Sequence, residues 1–493
     1  MNMDRTDQLI QIAIALTGTQ DISVLLDRIL MEAMDITHCD GGTVYILENQ
    51  QLVFHNMVTR SRGIHLIRDG RDMLLPPVPM TKTHVCACSA LEHKLINIPD
   101  VYEAGDYNFT GTRNYDQMNH YRTQSMLVVP MEDEKQRTIG VLQLINAMDE
   151  SGAVIPFSQT YEKLFLAMGS LAAVSLRNTL LQEAVLNIMH SFVGVMVDAI
   201  DARSPYNANH TRSMVRYAEK FLQWLDADDH GFRIAPEYHD AFLMSVWLHD
   251  IGKLIIPLHI MDKPTRLGAH RESLMYRIEV ARLMERLKAY ENVQTAEGIP
   301  TMTREELEKA SALILQADDA PYLDDGQMAA LQALCDKKVL DAQGQAIPLL
   351  DDYAREALHI RKGSLTEWER QEMERHVVYT RRLLSHMQFS DVYTAVPAWA
   401  GAHHELLNGT GYPDHLRDEQ IPKEVRLLTI LDIYDALTAE DRPYKPALSP
   451  QQAFRVLAGM RDEGKLDSEM LQLFYESRAW ERDGDIQSGG KES

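Results

Sequence analysis

The sequence predicts an α+β chain: an N-terminal α/β module, a long connecting helix, and an all-helical C-terminal module that carries an insertion. Strand signals are confined to residues 43–145. An apolar stripe of helical period runs through residues 160–202, and beyond it the apolar residues recur at helical spacing.

The chain has 493 residues, which suggests two or three domains. Its 45% hydrophobic and 25% charged content is ordinary for a folded protein. A net charge of −23 argues against a nucleic-acid polymer as partner, which would need a basic face. A small anionic substrate stays open, because a metal centre concentrates positive charge locally. Cys39, Cys86, Cys88 and Cys335 are too few for a disulfide scaffold and fit a reducing cytoplasm. Cys86 and Cys88 could bind metal or sense redox state, but ordinary thiols near a pocket are the expected reading. Met1–Arg5 lacks the basic and apolar regions of a signal peptide. The run Leu164–Leu176 is broken by Gly169 and Ser170, and no apolar stretch reaches the roughly 18 residues of a membrane span. A cytoplasmic protein without membrane insertion is expected.

Residues 7–35 read as helix through Leu9, Ile12, Ala13, Leu16, Leu25, Ile29 and Ala33. Thr43–Leu47 with Leu52–Val58, and Ser125–Met131 with Ile139–Ile145, read as two hairpins. Helix, strands, an irregular middle and strands again suggest a sensor module over 1–160. This region resembles a GAF domain, a small-ligand sensor, on the stretches Leu95–Tyr102, Ser125–Pro130 and Gly140–Asn146. The resemblance implies a small ligand of unknown identity. Of the motif found in cyclic-nucleotide-binding GAF domains, Asn146, Phe157 and Glu162 fit, whereas Ala147 and Tyr161 depart.

The connecting helix, 161–202, carries Leu164, Met168, Leu171, Val174, Leu181, Val185, Ile188, Phe192, Val195 and Ala199 at steps of mostly three or four. Parallel pairing of this stripe predicts a homodimer. Ser204-Pro205 punctuates the junction to the last module, 203–480. His210 opens one helix there, and Pro236–Leu248 forms another that leads into His249-Asp250. Thr303 with Glu306 and Thr366 with Glu369 form capping boxes. His376 follows the second box, Asp432 and Asp435 lie on a helix over 426–437, and closing helices follow over 449–475. The polar tail, 481–493, is expected to be disordered.

His249-Asp250-Ile251-Gly252-Lys253 and His403-His404-Glu405 with Gly411-Tyr412-Pro413 resemble the HD-GYP family, bacterial metal-dependent phosphodiesterases of cyclic di-nucleotides, chiefly cyclic di-GMP. The resemblance covers roughly 200–475, and about 269–362 reads as a helical insertion, a lid or a partner surface. It implies one metal ion on His210, His249, Asp250 and Asp432, and a second on Asp250, His376, His403 and His404. Five imidazoles and two carboxylates suit iron or manganese. Two such ions, about 3.5–4 Å apart, acidify a water and clamp a phosphodiester oxygen. Asp250 and Lys253 are implied in catalysis, and Lys253, Tyr412, Arg442 and Lys445 in substrate contact. Members with a third ion carry a glutamate four residues before the first histidine. Here that position is Tyr206, so two ions are expected.

Overall fold

The computed structural model describes residues 22–68, 75–203, 209–288, 301–439 and 447–481. Residues 7–21 of the expected first helix, Ser204-Pro205, Tyr206, Arg442, Lys445 and the tail from 482 lie outside the described residues. The chain divides into two compact units, Met1–Met189 and His190–Ser493. The boundary falls inside one continuous helix, Glu162–Arg203, where the connecting helix is expected.

The first unit is an antiparallel sheet covered on both faces. Its strands are β1 Cys39–Glu48, β2 Gln51–Thr59, β3 Ile64–Ile67, β4 Val78–Pro79, β5 Ile96–Ile98, β6 Met126–Glu132, β7 Thr138–Met148 and β8 Val154–Ile155. The order is β3-β2-β1-β7-β6-β5, with β4 on β2 and β8 on β7. Both expected hairpins are present as β1–β2 and β6–β7. Glu48 pairs with Gln51 across Asn49 and Gln50, which have φ of 46° and 62°. Two positive φ values suit the right-handed twist of a tight hairpin. Side chains alternate along β7. Leu142 and Leu144 pack with the helix Ile22–Thr37 and with Phe165, Met168 and Leu176 of the connecting helix. Val141 and Ile145 pack with the helix Val85–Glu92.

Cys86 donates to Gln143 Oε1 at 2.9 Å, and Tyr45 donates to the same oxygen at 3.0 Å. Burial pushes the Cys86 thiol up to about 12, so it is an inert core group at neutral pH. Asn146 accepts from the amide of Gln124 at 2.6 Å and donates to Arg122 O at 2.8 Å, and Phe157 is buried. These two residues of the partial cyclic-nucleotide motif are therefore used by the fold itself.

Along the connecting helix, Leu164 and Met168 are buried in the first unit's core. Leu171, Val174, Leu181, Val185, Ile188, Phe192 and Val195 are exposed. Val193, Val197 and Ile200 are buried in the second unit. By length and composition this helix is apolar enough to cross a membrane, a property the broken run at Gly169 did not suggest. Its buried residues give part of that apolarity a packing use, while the apolar stripe from Leu171 to Val195 is exposed.

The second unit is helical. His210–Ala227, His239–Leu248, Glu367–Glu374, His376–Leu384, Val396–Ala400, Lys423–Thr438, Pro450–Asp462 and Ser468–Ser477 surround the candidate site. Both predicted capping boxes are formed, at Thr303 and Thr366. Between Asp262 and Ser364 lie His270–Lys288, Arg304–Asp319, Asp325–Leu334 and Asp352–Leu358. They enclose a core of their own, with Leu274 and Ile278 among Leu307, Ile314, Leu331 and Leu358. This segment also holds a hairpin of Lys338–Leu340 with Ala346–Pro348, whose strands are too short to leave a periodic signal. At its neck the buried Arg266 donates to the carbonyls of Ala317 at 2.7 Å, Ile360 at 2.7 Å, and Ala320.

Candidate metal centre

The centre is assembled from five separate stretches of chain. His249 caps the end of the helix His239–Leu248, and Asp250 opens a short 3-10 turn, Ile251–Leu254. Leaving the helix between these two residues lets adjacent side chains converge. Gly252 sits where a Cβ would stand 1.9 Å from His376 O, so the turn closes on the His376 helix only with glycine here. Thr380, one turn beyond His376, accepts from the Gly252 amide and donates to His249 O, both at 2.9 Å. Thr429, on the helix that carries Asp432, donates to His403 O at 2.8 Å.

The Nδ1 atoms of His249, His376 and His403 donate to the carbonyls of Val246, Met373 and Ala400 at 2.7, 2.8 and 2.7 Å. His210 Nδ1 donates to Asp435 Oδ2 at 2.7 Å. Each bond fixes a tautomer and turns Nε2 inward as a lone-pair donor. Asp250 faces both ways. Its Oδ2 lies 3.2 Å from His249 Nε2 and 3.8 Å from His210 Nε2, while its Oδ1 lies 3.4 Å from His376 Nε2 and 3.9 Å from His403 Nε2. Asp432 reaches His210 Nε2 at 3.2 Å and His404 Nδ1 at 3.6 Å. The donors fall into two groups that could each hold an ion, His210–His249–Asp250 and His376–His403–His404. The buried Asp250 Oδ1, His376 Nε2 and His403 Nε2 lack hydrogen-bond partners. Orphaned buried atoms of these types, aimed at one another, fit divalent cations.

The charge states of His376, His403 and His404 agree. Burial lowers His376 to about 3 despite the Asp250 carboxylate, carries His403 well below the usual range, and lowers His404. These imidazoles are neutral and free to ligate. Burial also lowers His210, but hydrogen bonds to Asp432 and Asp435 outweigh it and hold it at about 9, so at neutral pH its Nε2 carries a proton that a cation has to displace. Burial raises Asp250, but Lys253 and His249 overcome this and keep it well below the ordinary carboxylate range. Lys253 Nζ is 2.6 Å from Asp250 Oδ2.

Tyr412 lies beside the centre, its ring centroid 4.8 Å from that of His404 and 6.5 Å from that of His376. A Cβ on Gly411 would stand 2.3 Å from Leu406 N and 2.5 Å from His404 O, so glycine lets this loop fold back on the histidine pair. Glu405 holds the loop by accepting from the amides of Asp414 at 2.7 Å and Leu416 at 2.9 Å. The structure thus brings together His210, His249, Asp250, His376, His403, His404, Asp432, Lys253 and Tyr412. Sequence reading placed Asp435 on the right helix without a role, and it missed Thr380, Thr429 and the loop bonds of Glu405. Only Glu405, next to the histidine pair, had a local signal.

A GAF-domain family model matches residues 21–176, and an HD-domain model matches 353–470. The chain carries a GAF domain followed by an HD domain, as the resemblance implied. The HD match includes His376, His403, His404 and Asp432, whereas His210, His249 and Asp250 precede it across the inserted segment. Among curated relatives, the chain is 37% identical over 95 residues to 3'3'-cGAMP-specific phosphodiesterase 3 of Vibrio cholerae, covering 19% of this chain and 20% of that protein. It is 35% identical over 118 residues to 3'3'-cGAMP-specific phosphodiesterase 1 of the same organism, covering 24% and 26%. It is 39% identical over 104 residues to the cyclic di-GMP phosphodiesterase response regulator RpfG of Xanthomonas campestris, covering 21% and 26%. The chain thus spans only 20% to 26% of the length of these relatives.

Proposed function

We propose that this chain is a metal-dependent phosphodiesterase of the HD-GYP type that hydrolyses cyclic di-GMP to linear pGpG, with GMP as the product of a second cut. The observation that carries this reading is the two-sided placement of Asp250, one carboxylate oxygen toward His210 and His249 and the other toward His376 and His403. A carboxylate can bridge two cations, whereas an imidazole has one lone pair to give. In this reading His210, His249, Asp250 and Asp432 hold one ion, and Asp250, His376, His403 and His404 hold the other, with iron or manganese suited to the donor set. Two divalent ions supply Lewis acidity for attack of water on phosphorus. Lys253 offers a cation next to the Asp250 carboxylate for a phosphate oxygen, and Tyr412 gives the substrate an aromatic wall.

Two of the relatives are named for 3'3'-cGAMP, which supports a second reading with that substrate. An anaerobic assay of the iron- or manganese-loaded chain against cyclic di-GMP, 3'3'-cGAMP and cyclic di-AMP decides between them. Hydrolysis of none would end both.

Regulation by a small ligand of the GAF domain belongs to the same proposal, as does a homodimer. The exposed residues Leu171, Val174, Leu181, Val185, Ile188, Phe192 and Val195 recur at the three-and-four spacing of a two-helix seam. A cytoplasmic location belongs to the same proposal.

A further inference from the structure

The connecting helix ends on the turn that carries Asp250 and Lys253. Its last residue, Arg203, donates to the main-chain carbonyls of Lys253 at 3.2 Å, Leu254, and Ile256 at 2.8 Å. These carbonyls belong to the C-terminal end of the 3-10 turn Ile251–Leu254 and the residues just after it. Lys253 O already accepts from the Ile256 amide at 3.2 Å and has a second lone pair to offer, and a cationic donor suits carbonyls at such an end. The guanidinium is planar and carries five N–H groups, so one arginine can serve three carbonyls at once.

The rest of this helix segment is fixed to the same unit. Val193, Val197 and Ile200 are buried, and His190 Nε2 lies 3.0 Å from Asp240, whose carboxylate also accepts from Tyr393 at 2.7 Å. The turn itself is stiff. Lys253 N donates to Asp250 O at 2.9 Å, and Ile255 N donates to Gly252 O at 3.0 Å. On its other side the turn is bonded to Thr380 through the Gly252 amide. Displacing the helix end by a fraction of an ångström therefore moves the 251–256 segment against the His376 helix, and with it the two side chains at the head of the turn.

We infer that Arg203 is the positioning residue through which the connecting helix acts on the reacting centre, by holding the 251–256 turn in register with His376. Its consequence for turnover rests on the phosphodiesterase reading above. Its hold on the turn does not.

The test uses the full chain loaded with manganese, as wild type, Arg203→Gln and Arg203→Lys, and reads metal content, hydrogen exchange of residues 251–256, and kcat and KM on cyclic di-GMP. Arg203→Gln should speed exchange in 251–256 and lower kcat by roughly tenfold or more, with metal content and KM unchanged. Arg203→Lys, which keeps the charge and fewer bonds, should fall between. A single alanine inserted between Gln182 and Glu183 rotates the downstream helix by about 100°. It should change kcat in the wild type and leave Arg203→Gln unaltered, because the connection is already cut. Wild-type exchange and kcat in Arg203→Gln would overturn the inference, as would an insertion without effect in the wild type or with equal effect in both backgrounds. Equal loss of metal and melting temperature in both Arg203 variants would reduce the residue to general stability and also overturn it. If the wild type cleaves no cyclic di-nucleotide, the phosphodiesterase reading fails while the exchange experiment still decides the hold on the turn.

Discussion

Thr380 is bound to His249 through the main chain, donating from Oγ1 to the His249 carbonyl at 2.9 Å while accepting from the Gly252 amide at the same distance. Thr429 treats His403 likewise, at 2.8 Å. Each threonine sits on a helix that itself contributes a donor, His376 or Asp432. The helices that carry two of the donors thus also hold the backbones of two others. Thr380→Val keeps the shape and leaves a buried amide and carbonyl unpaired. It should weaken metal binding by roughly 10–100-fold in a chelator competition, and Thr380→Ser should restore most of the loss. Equal affinity of the valine and serine variants would show that the hydroxyl does not matter.

Asp250→Asn replaces one of two carboxylate oxygens with an amide that cannot bridge. Metal content should fall and hydrolysis should be lost, while circular dichroism stays that of the wild type. His249→Ala should do the same through loss of a donor. Removing metal from the wild type with a chelator should abolish hydrolysis, and manganese should restore it. Full turnover by metal-free protein would refute the mechanism.

The donors His249-Asp250 and His403-His404 were legible in the sequence because each pair is contiguous and sits beside its own glycine motif. The capping boxes at Thr303 and Thr366 were legible because they are local patterns of four residues. The supporting bonds were not. Thr380 to His249 spans 131 residues and Arg266 to Ile360 spans 94, and no periodicity encodes such pairings. The capping box at Thr366 marks where its helix starts but not where it stops, at Arg375, so that His376 opens a helix of its own.

Lys263 and Glu369 form an ion pair at 2.6 Å with both side chains at most 5% exposed. Burial raises Glu369, but the bond to Lys263 and the Thr366 amide overcome this and hold it below its ordinary value. A depressed carboxylate pKa contributes stability that is present above the unfolded pKa and lost as pH falls through the folded one. Lys263→Met strands the carboxylate and should cost about 3–5 kcal/mol at neutral pH in urea unfolding. The variant should also lose less stability than the wild type as pH falls below about 4, the region between the unfolded carboxylate value and the depressed folded one. A second change, Glu369→Leu, should recover much of the cost. A single variant as stable as the wild type would contradict this.

Val185 and Ile188 are 63% and 69% exposed on the connecting helix. If that stripe is a dimer seam, placing Glu at both positions sets like charges against one another and should convert a dimer to a monomer in sedimentation at micromolar concentration. A monomeric wild type would refute the seam.

The centre should hold two ions per chain and not three. The described donors form two groups, His210–His249–Asp250 and His376–His403–His404. A third ion needs a further carboxylate, and two acids next to the described donors, Asp435 and Glu405, are already engaged. Asp435 accepts from His210 Nδ1 at 2.7 Å, and Glu405 accepts from the amides of Asp414 and Leu416. Tyr206 stands at the sequence position of the glutamate that would supply a third ion, and a neutral phenol with a pKa near about 10 is a poor ligand at neutral pH. Elemental analysis of the manganese-loaded chain should therefore give two ions, and Tyr206→Glu should raise the number toward three by restoring the missing donor. Three well-occupied peaks in anomalous scattering from the unmodified protein would refute this count. They would also require a further carboxylate at the site, and were it Glu405, the loop amides of Asp414 and Leu416 would report its departure through faster hydrogen exchange.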